Sequence, residues 1–168
     1  RMGKGITTDQ ARRAVTWAKA AGMTVLTYFM FGNLDETVDD MRRTIDFALE
    51  LDPDYAEFSI TIPYPGTELY QEAQDRGLIT HDYWRDYALR PEENFQPHQL
   101  IEQFADINML QRIRDQAVRR FYFRPRYLAG QLRTIRNPGE LWRKAGMAWQ
   151  LLRGLLRGLV RGWVKGRR

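Results

Sequence analysis

The sequence predicts an α/β fold built on a parallel sheet, and three observations carry that reading. Over its first 77 residues the chain alternates helix, strand, helix, strand and helix periodicities. The links between these segments are short, as right-handed crossovers between parallel strands require. The first strand-like run is apolar, β-branched and aromatic and ends at a glycine turn, as a buried strand of an α/β sheet does. Two strands do not make a stable parallel sheet by themselves, because such sheets need neighbours and cover. The chain therefore reads as the later part of a larger barrel or sheet.

Each element has a local cause. Thr7 or Thr8 can cap the first helix, with Asp9 in a first turn where the dipole favours a carboxylate. Ala11, Ala14, Val15, Ala18 and Ala21 recur at helical spacing as its expected inward face, and Gly22 ends it. A strand at 24–31 runs into Gly32 and a short acidic turn, Asn33-Leu34-Asp35-Glu36. Glu36 reads as a carboxylate at a helix N-terminus. Thr37 opens a second helix with Met41, Thr44, Ile45, Ala48 and Leu49 inward, and it stops before Pro53. A second strand at 55–62 ends in Pro63-Tyr64-Pro65-Gly66-Thr67, and a third helix at 67–76 is closed by Gly77. On that second strand Glu57, Ser59 and Thr61 alternate on one side.

Residues 80–99 are polar and read as irregular, with Trp84, Tyr87 and Phe95 as packing anchors. A long helix is expected over 100–123, with Ile101, Phe104, Ile107, Leu110 or Gln111, and Ala117 inward, interrupted at Pro125. The expected domain division is 1–79 for the strand–helix units, 80–136 for the irregular segment and helix, and 137–168 for an all-helical basic tail.

Composition sets limits. Twenty-one aromatic residues and 43% hydrophobic content support a packed core. There is no cysteine, so neither a disulfide nor a thiolate metal or iron–sulfur site can be built from this chain. His81 and His98 stand apart in polar surroundings and read as surface residues, not ligands. No signal peptide and no uncharged apolar run of membrane-spanning length is evident, so the default compartment is the cytoplasm. The net charge of +5 conceals a split: residues 1–118 hold 12 Lys/Arg against 20 Asp/Glu, whereas 119–168 hold 14 against the single Glu140. Halves so differently charged are expected to do different work.

The tail carries a four-residue repeat, Arg153-Gly-Leu-Leu, Arg157-Gly-Leu-Val, Arg161-Gly-Trp-Val and Lys165-Gly. Four residues advance about 400° on a helix, so Leu152, Leu155, Leu156, Leu159, Val160, Trp163 and Val164 share one face flanked by arginines. Three readings stay open. Residues 139–168 suit peripheral contact with a membrane surface, which leads. Nucleic acid is disfavoured because no recognition motif accompanies the cations. A solvated tail is the third, since a glycine in every repeat weakens a free helix.

Several of these segments together resemble a family. Lys4-Gly5-Ile6-Thr7, Phe29-Met30-Phe31-Gly32 with Asp35-Glu36-Thr37, and Pro63-Tyr64-Pro65-Gly66-Thr67 look like the C-terminal part of a radical S-adenosylmethionine (SAM) enzyme. The group with an N-terminal cobalamin (B12)-binding domain is most similar, and Phe121-Tyr122-Phe123-Arg124-Pro125 resembles its tail signature. The resemblance spans about residues 3–128. It implies the last two strands of a partial (β/α)6 TIM-like barrel. It also implies three cofactors for the full-length protein: S-adenosyl-L-methionine, a 4Fe–4S cluster on a CxxxCxxC loop, and cobalamin. Cluster and corrinoid are not bindable by this chain alone, so the resemblance implies a fragment of the enzyme, inactive by itself. The implied chemistry is methyl transfer or other radical chemistry on a small-molecule or lipid-like substrate.

By position, the resemblance assigns cofactor contact to Met30, Phe31 and Gly32 at one strand end, and to Ile62 and Pro63 at the other. Tyr64 and Thr67 are placed nearer substrate. No residue is assigned a catalytic or metal-binding role. The pattern departs from the family's Gly-x-Ile-x-Gly-x-x-Glu: Tyr28 stands for the first glycine, Met30 for isoleucine, and Glu36 comes one residue late. Two alternatives remain. One is a membrane-surface or scaffold module working through the tail. The other is a radical SAM methylthiotransferase, disfavoured because no β-rich appendage follows the strand–helix units.

Overall fold

In the computed structural model, residues 5–79, 81–91, 95 and 107–133 are described, with 139, 142 and 146 as isolated positions. The chain divides into two compact units, Arg1–Arg114 and Asp115–Arg168. The described elements run α1 (Thr8–Ala20), β1 (Leu26–Phe31), α2 (Val38–Leu51), β2 (Tyr55–Ile60), α3 (Glu68–Asp75), α4 (Tyr83–Leu89), α5 (Ile107–Tyr122) and α6 (Pro125–Arg133). This is a mixed α/β arrangement, as expected. Its sheet, among the described residues, is a single parallel pair. The register is direct, from Leu26 opposite Tyr55 to Phe31 opposite Ile60.

Parallel partners project to the same side, so the pleat separates two faces. Phe29, Phe31, Ala56 and Phe58 are buried on one of them, with the Phe29 and Phe58 rings stacked at 5.4 Å and Phe31 and Phe58 at 5.9 Å. Tyr28 and Glu57, paired across the strands, are exposed on the other, as are Leu26 and Tyr55. The apolar run of β1 had suggested a strand buried on both sides. One side is open.

Helix α2 supplies much of the core. Met41, Ile45 and Ala48 recur at i, i+4 and i+7 and are fully buried, while Thr44 and Leu49 flank them half-buried. Its start is a capping box. The Thr37 hydroxyl oxygen accepts from the Asp40 N–H, and the Asp40 carboxylate accepts from the Thr37 N–H. Helix α1 uses the same device at Thr7 with Gln10. It buries only Val15, however, and Ala14 and Ala21 are exposed, contrary to the expected inward face. Alanine repeats at helical spacing satisfy helix propensity as well as burial and do not distinguish the two. A two-pronged ion pair, Arg12 Nε to Glu50 Oε1 at 2.6 Å and Nη2 to Oε2 at 3.1 Å, joins α1 to α2.

The strands are shorter than expected, starting at Leu26 and ending at Ile60, although the Thr61 N–H still donates to the Phe31 carbonyl at 2.7 Å. Residues 80–99 are not all irregular. Asp82 caps α4 by accepting from the Arg85 N–H at 3.0 Å, and it also accepts the Tyr70 hydroxyl of α3 at 2.9 Å. These hydrogen bonds hold its carboxyl below the usual aspartate range. Asp82→Ala removes the cap and orphans a buried tyrosine hydroxyl, so a loss of about 2 kcal/mol in urea unfolding is expected. Because the folded carboxyl is depressed, its stabilisation is present above the ordinary aspartate value and lost as pH falls through the depressed one. An acid titration of wild type against the variant should therefore converge.

In α5 the buried positions are Leu110 and Ile113 in the first unit and Ala117 and Phe121 in the second. Leu110, not Gln111, thus faces inward. Residues 100–106 lie outside the described range. At Pro125 a new helix begins, the ring occupying a first turn that needs no N–H. The Phe121 to Pro125 motif makes the corner of the second unit. The Arg124 guanidinium lies 4.3 Å from the Phe121 ring centroid, and Tyr127 packs 5.6 Å from the same ring.

Candidate functional site

The parallel register brings the C-terminal ends of β1 and β2 side by side, and each end leads into a turn with its own sequence logic. After β1 the chain passes through Gly32 at φ +83°, a conformation that side chains disfavour. The turn closes with the Glu36 N–H donating to the Asn33 carbonyl at 3.1 Å. Glu36 stands at the N-terminus of α2, as the sequence suggested, one residue before the Thr37 cap. Its carboxylate folds back to accept the Gly32 and Asn33 N–H groups at 2.7 and 2.9 Å. The buried Thr61 hydroxyl lies 3.1 Å from Asn33 Oδ1 and ties this turn to the end of β2.

The second turn is Tyr64-Pro65-Gly66-Thr67. Thr67 N–H donates to the Tyr64 carbonyl at 3.2 Å and Gly66 has φ +82°, with proline at the preceding position, which are the requirements of a type II turn. The Thr67 hydroxyl also donates to the Tyr64 carbonyl, at 2.6 Å, and accepts from the Tyr70 N–H at 3.2 Å, so one residue closes the turn and caps α3.

Between these turns lies an open groove of about 1070 Å³, a size that suits a nucleoside-scale ligand. Met30, Ile62, Tyr64 and Thr67 line it, so four of the seven residues assigned from sequence come together. Phe31, Gly32 and Pro63 do not line it. The side chains of Phe31 and Pro63 are sealed in the core, and the Gly32 N–H serves Glu36. What these three supply is the backbone path. Sequence reading missed Asn33, Asp35, Asp40, Thr61, Glu68, Glu72 and Arg76 on the lining. A signal existed for part of it: Glu68, Glu72 and Arg76 follow each other at i, i+4 and i+8 and share a face of the third helix.

The groove is acidic. Asp35, Glu36, Asp40, Glu68 and Glu72 line it with one guanidinium, Arg76, which bridges Asp35 at 2.7 Å and Glu72, while Asp40 also pairs with Arg43 at 2.7 Å. Burial pushes the Glu36 carboxyl above the ordinary glutamate value, the two backbone N–H bonds oppose the shift, and Asp40 adds to it. A raised folded value favours the folded state fully below the ordinary glutamate pKa, and that contribution fades as pH rises through the raised value. Carbon-detected titration should place the Glu36 midpoint above the ordinary glutamate value. The stability of wild type relative to Glu36→Gln should improve as pH falls through that midpoint.

The donor set is as informative as the shape. Among the described residues no cluster of histidine and carboxylate side chains has metal-binding geometry, and the chain has no cysteine. It therefore cannot supply the thiolates of an iron–sulfur cluster. His81 is exposed and pairs with Asp86, in keeping with a surface role, whereas His98 lies outside the described residues. Among the described residues no helix is long and apolar enough to cross a membrane.

No family model matches the chain. It is 38% identical over 127 residues to a protein of Pyrococcus horikoshii named as an uncharacterized methyltransferase, over 76% of this chain and 26% of that protein. It is 32% identical over 69 residues to bacteriochlorophyllide d C-8(2)-methyltransferase of Chlorobaculum tepidum, over 41% of this chain and 15% of the relative. It is 29% identical over 75 residues to the anaerobic magnesium-protoporphyrin IX monomethyl ester cyclase of Rubrivivax gelatinosus, over 45% of this chain and 14% of the relative. These relatives are named as methyltransferases and a cyclase. The chain spans about a quarter of the length of the first of them.

Proposed function

We propose that this chain is the C-terminal strand–helix portion of a radical SAM enzyme of the cobalamin-binding type, with methyl transfer as its reaction. The observation that carries the reading is the groove at the adjoining C-terminal ends of two parallel strands, where barrel enzymes bind ligands. The open sheet face supports it, because a parallel pair uncovered on one side lacks neighbours that a barrel would provide. The names of the relatives supply the methyl-transfer chemistry.

In this reading S-adenosyl-L-methionine supplies the reactive sulfonium, and the acidic lining suits a cationic ligand. Met30 and Ile62 give apolar contact, Tyr64 stands at the rim shared by cofactor and substrate, and Thr67 borders the substrate side. The cluster ligands and the corrinoid pocket belong to polypeptide outside these 168 residues. The test is S-adenosylhomocysteine titrated against the isotope-labelled chain. Shifts concentrated at Met30, Ile62, Tyr64 and Thr67 support the reading, and shifts spread over the surface or none at all sink it.

The basic tail carries a second reading of a different class, peripheral membrane contact. Trp142 stands in the basic segment at 79% exposure, and the leucine repeat that follows lies outside the described residues. Sedimentation with anionic and neutral vesicles tests it. Binding to anionic vesicles that salt and truncation at 138 both abolish is the expected result, and binding that survives truncation refutes it.

A further inference from the structure

Tyr64 lines the groove and is 51% exposed, yet its ring does not stand alone. Its centroid lies 4.9 Å from that of Trp84, with the planes tilted by 37°. Trp84 also donates its indole N–H to the Pro63 carbonyl at 3.1 Å. One side chain thus holds the backbone of one residue and the ring of the next. The type II turn fixes the chain directly after Tyr64, and the Trp84 bond fixes it directly before.

Trp84 is itself held. Its helix begins at Asp82, which the buried Tyr70 of α3 engages, and the Phe95 ring packs edge-on at 5.2 Å. It also packs against the small core of Leu34, Tyr70, Ala73 and Ile79, two of whose neighbours on the chain, Asp35 and Leu69, line the groove. Trp84 is half-buried, so its indole N–H needs a partner, and the one it takes is the carbonyl directly before a groove-lining ring, which fixes the geometry there.

We propose that Trp84 is a positioning residue of this groove, holding the Pro63 backbone and so setting the Tyr64 ring against which a planar heteroaromatic ring packs. The inference rests on the proposed function in one respect, that the ring is the adenine of SAM. Aromatic stacking depends on plane and offset, so loss of the support should weaken binding without removing any group that touches the ligand.

The test uses the isotope-labelled 168-residue chain, titrated with S-adenosylhomocysteine, as wild type, Trp84→Phe and Trp84→Leu. Trp84→Phe keeps a ring and loses the N–H, and Trp84→Leu loses both. Binding should weaken about 5-fold in the first and at least about 20-fold in the second, with exchange of the Thr67 amide accelerated about 10-fold. Amides of α2 should exchange as in wild type, which separates repositioning from global destabilisation. Equal affinity in wild type and both variants overturns the proposal. If wild type itself does not bind, the SAM reading falls, and Thr67 exchange then decides alone: acceleration in Trp84→Phe upholds the positioning role, and no change overturns it.

Discussion

Truncation of Phe31 to alanine is expected to destabilise the first unit by about 4 kcal/mol, the range for a large side chain removed from a packed core. The ring has no exposed surface, stacks on Phe58, and ends the strand that Thr61 extends by its hydrogen bond. Urea unfolding measures the effect. Phe31→Leu conserves most of the volume and should cost less than about 1.5 kcal/mol. The pair also separates two roles for this position. A side chain that touched a ligand would lower affinity in the leucine variant, whereas a core residue that supplies only backbone path would leave affinity near wild type. The burial favours the second outcome.

Gly32→Ala is expected to cost about 2 to 3 kcal/mol, from two sources. At φ +83° a Cβ carries the left-handed penalty of about 1 to 2 kcal/mol. It would also stand 3.0 Å from Leu110 Cδ1 and 3.4 Å from Cδ2, and Leu110 is fully buried with little room to yield. Gly22→Ala is the control. Gly22 has φ +75° and nothing within 4 Å of its added Cβ, so it carries the backbone penalty alone. The difference between the two variants in thermal or urea unfolding isolates the contact with Leu110. Equal losses would show that the helix yields freely.

How far the sequence spoke for this molecule depended on whether the signal was local. Thr7, Thr37 and Thr67 announced helix starts because a cap acts within three residues, and all three are N-caps. Gly66 after Pro65 announced a turn for the same reason. Burial was less legible. Ala14 and Ala21 fit a helix face yet are exposed, and the apolar run of β1 does not show that Leu26 and Tyr28 stand exposed on its second face. Helix α4 was missed because its seven residues carry two charges and little periodicity, and its start depends on a tyrosine twelve residues earlier. The site divided in the same way. Residues on the strand ends were found from motif order, but the acidic wall of the groove depends on how α3 and the Gly32 turn converge, which spacing alone does not encode.

The open side of the β1–β2 pair gives the molecule a chemical reporter. Tyr28 is 68% exposed there, with Glu57 directly opposite. Phe29 beside it is buried and inert to tyrosine reagents, so modification on β1 reads one phenol only. A layer packed onto this face, as the barrel interior proposed above would be, covers that phenol. If the chain is that barrel portion, tyrosine-directed footprinting of a longer protein that contains it, set against the chain by itself, should register the packing of this face as a loss of labelling at Tyr28.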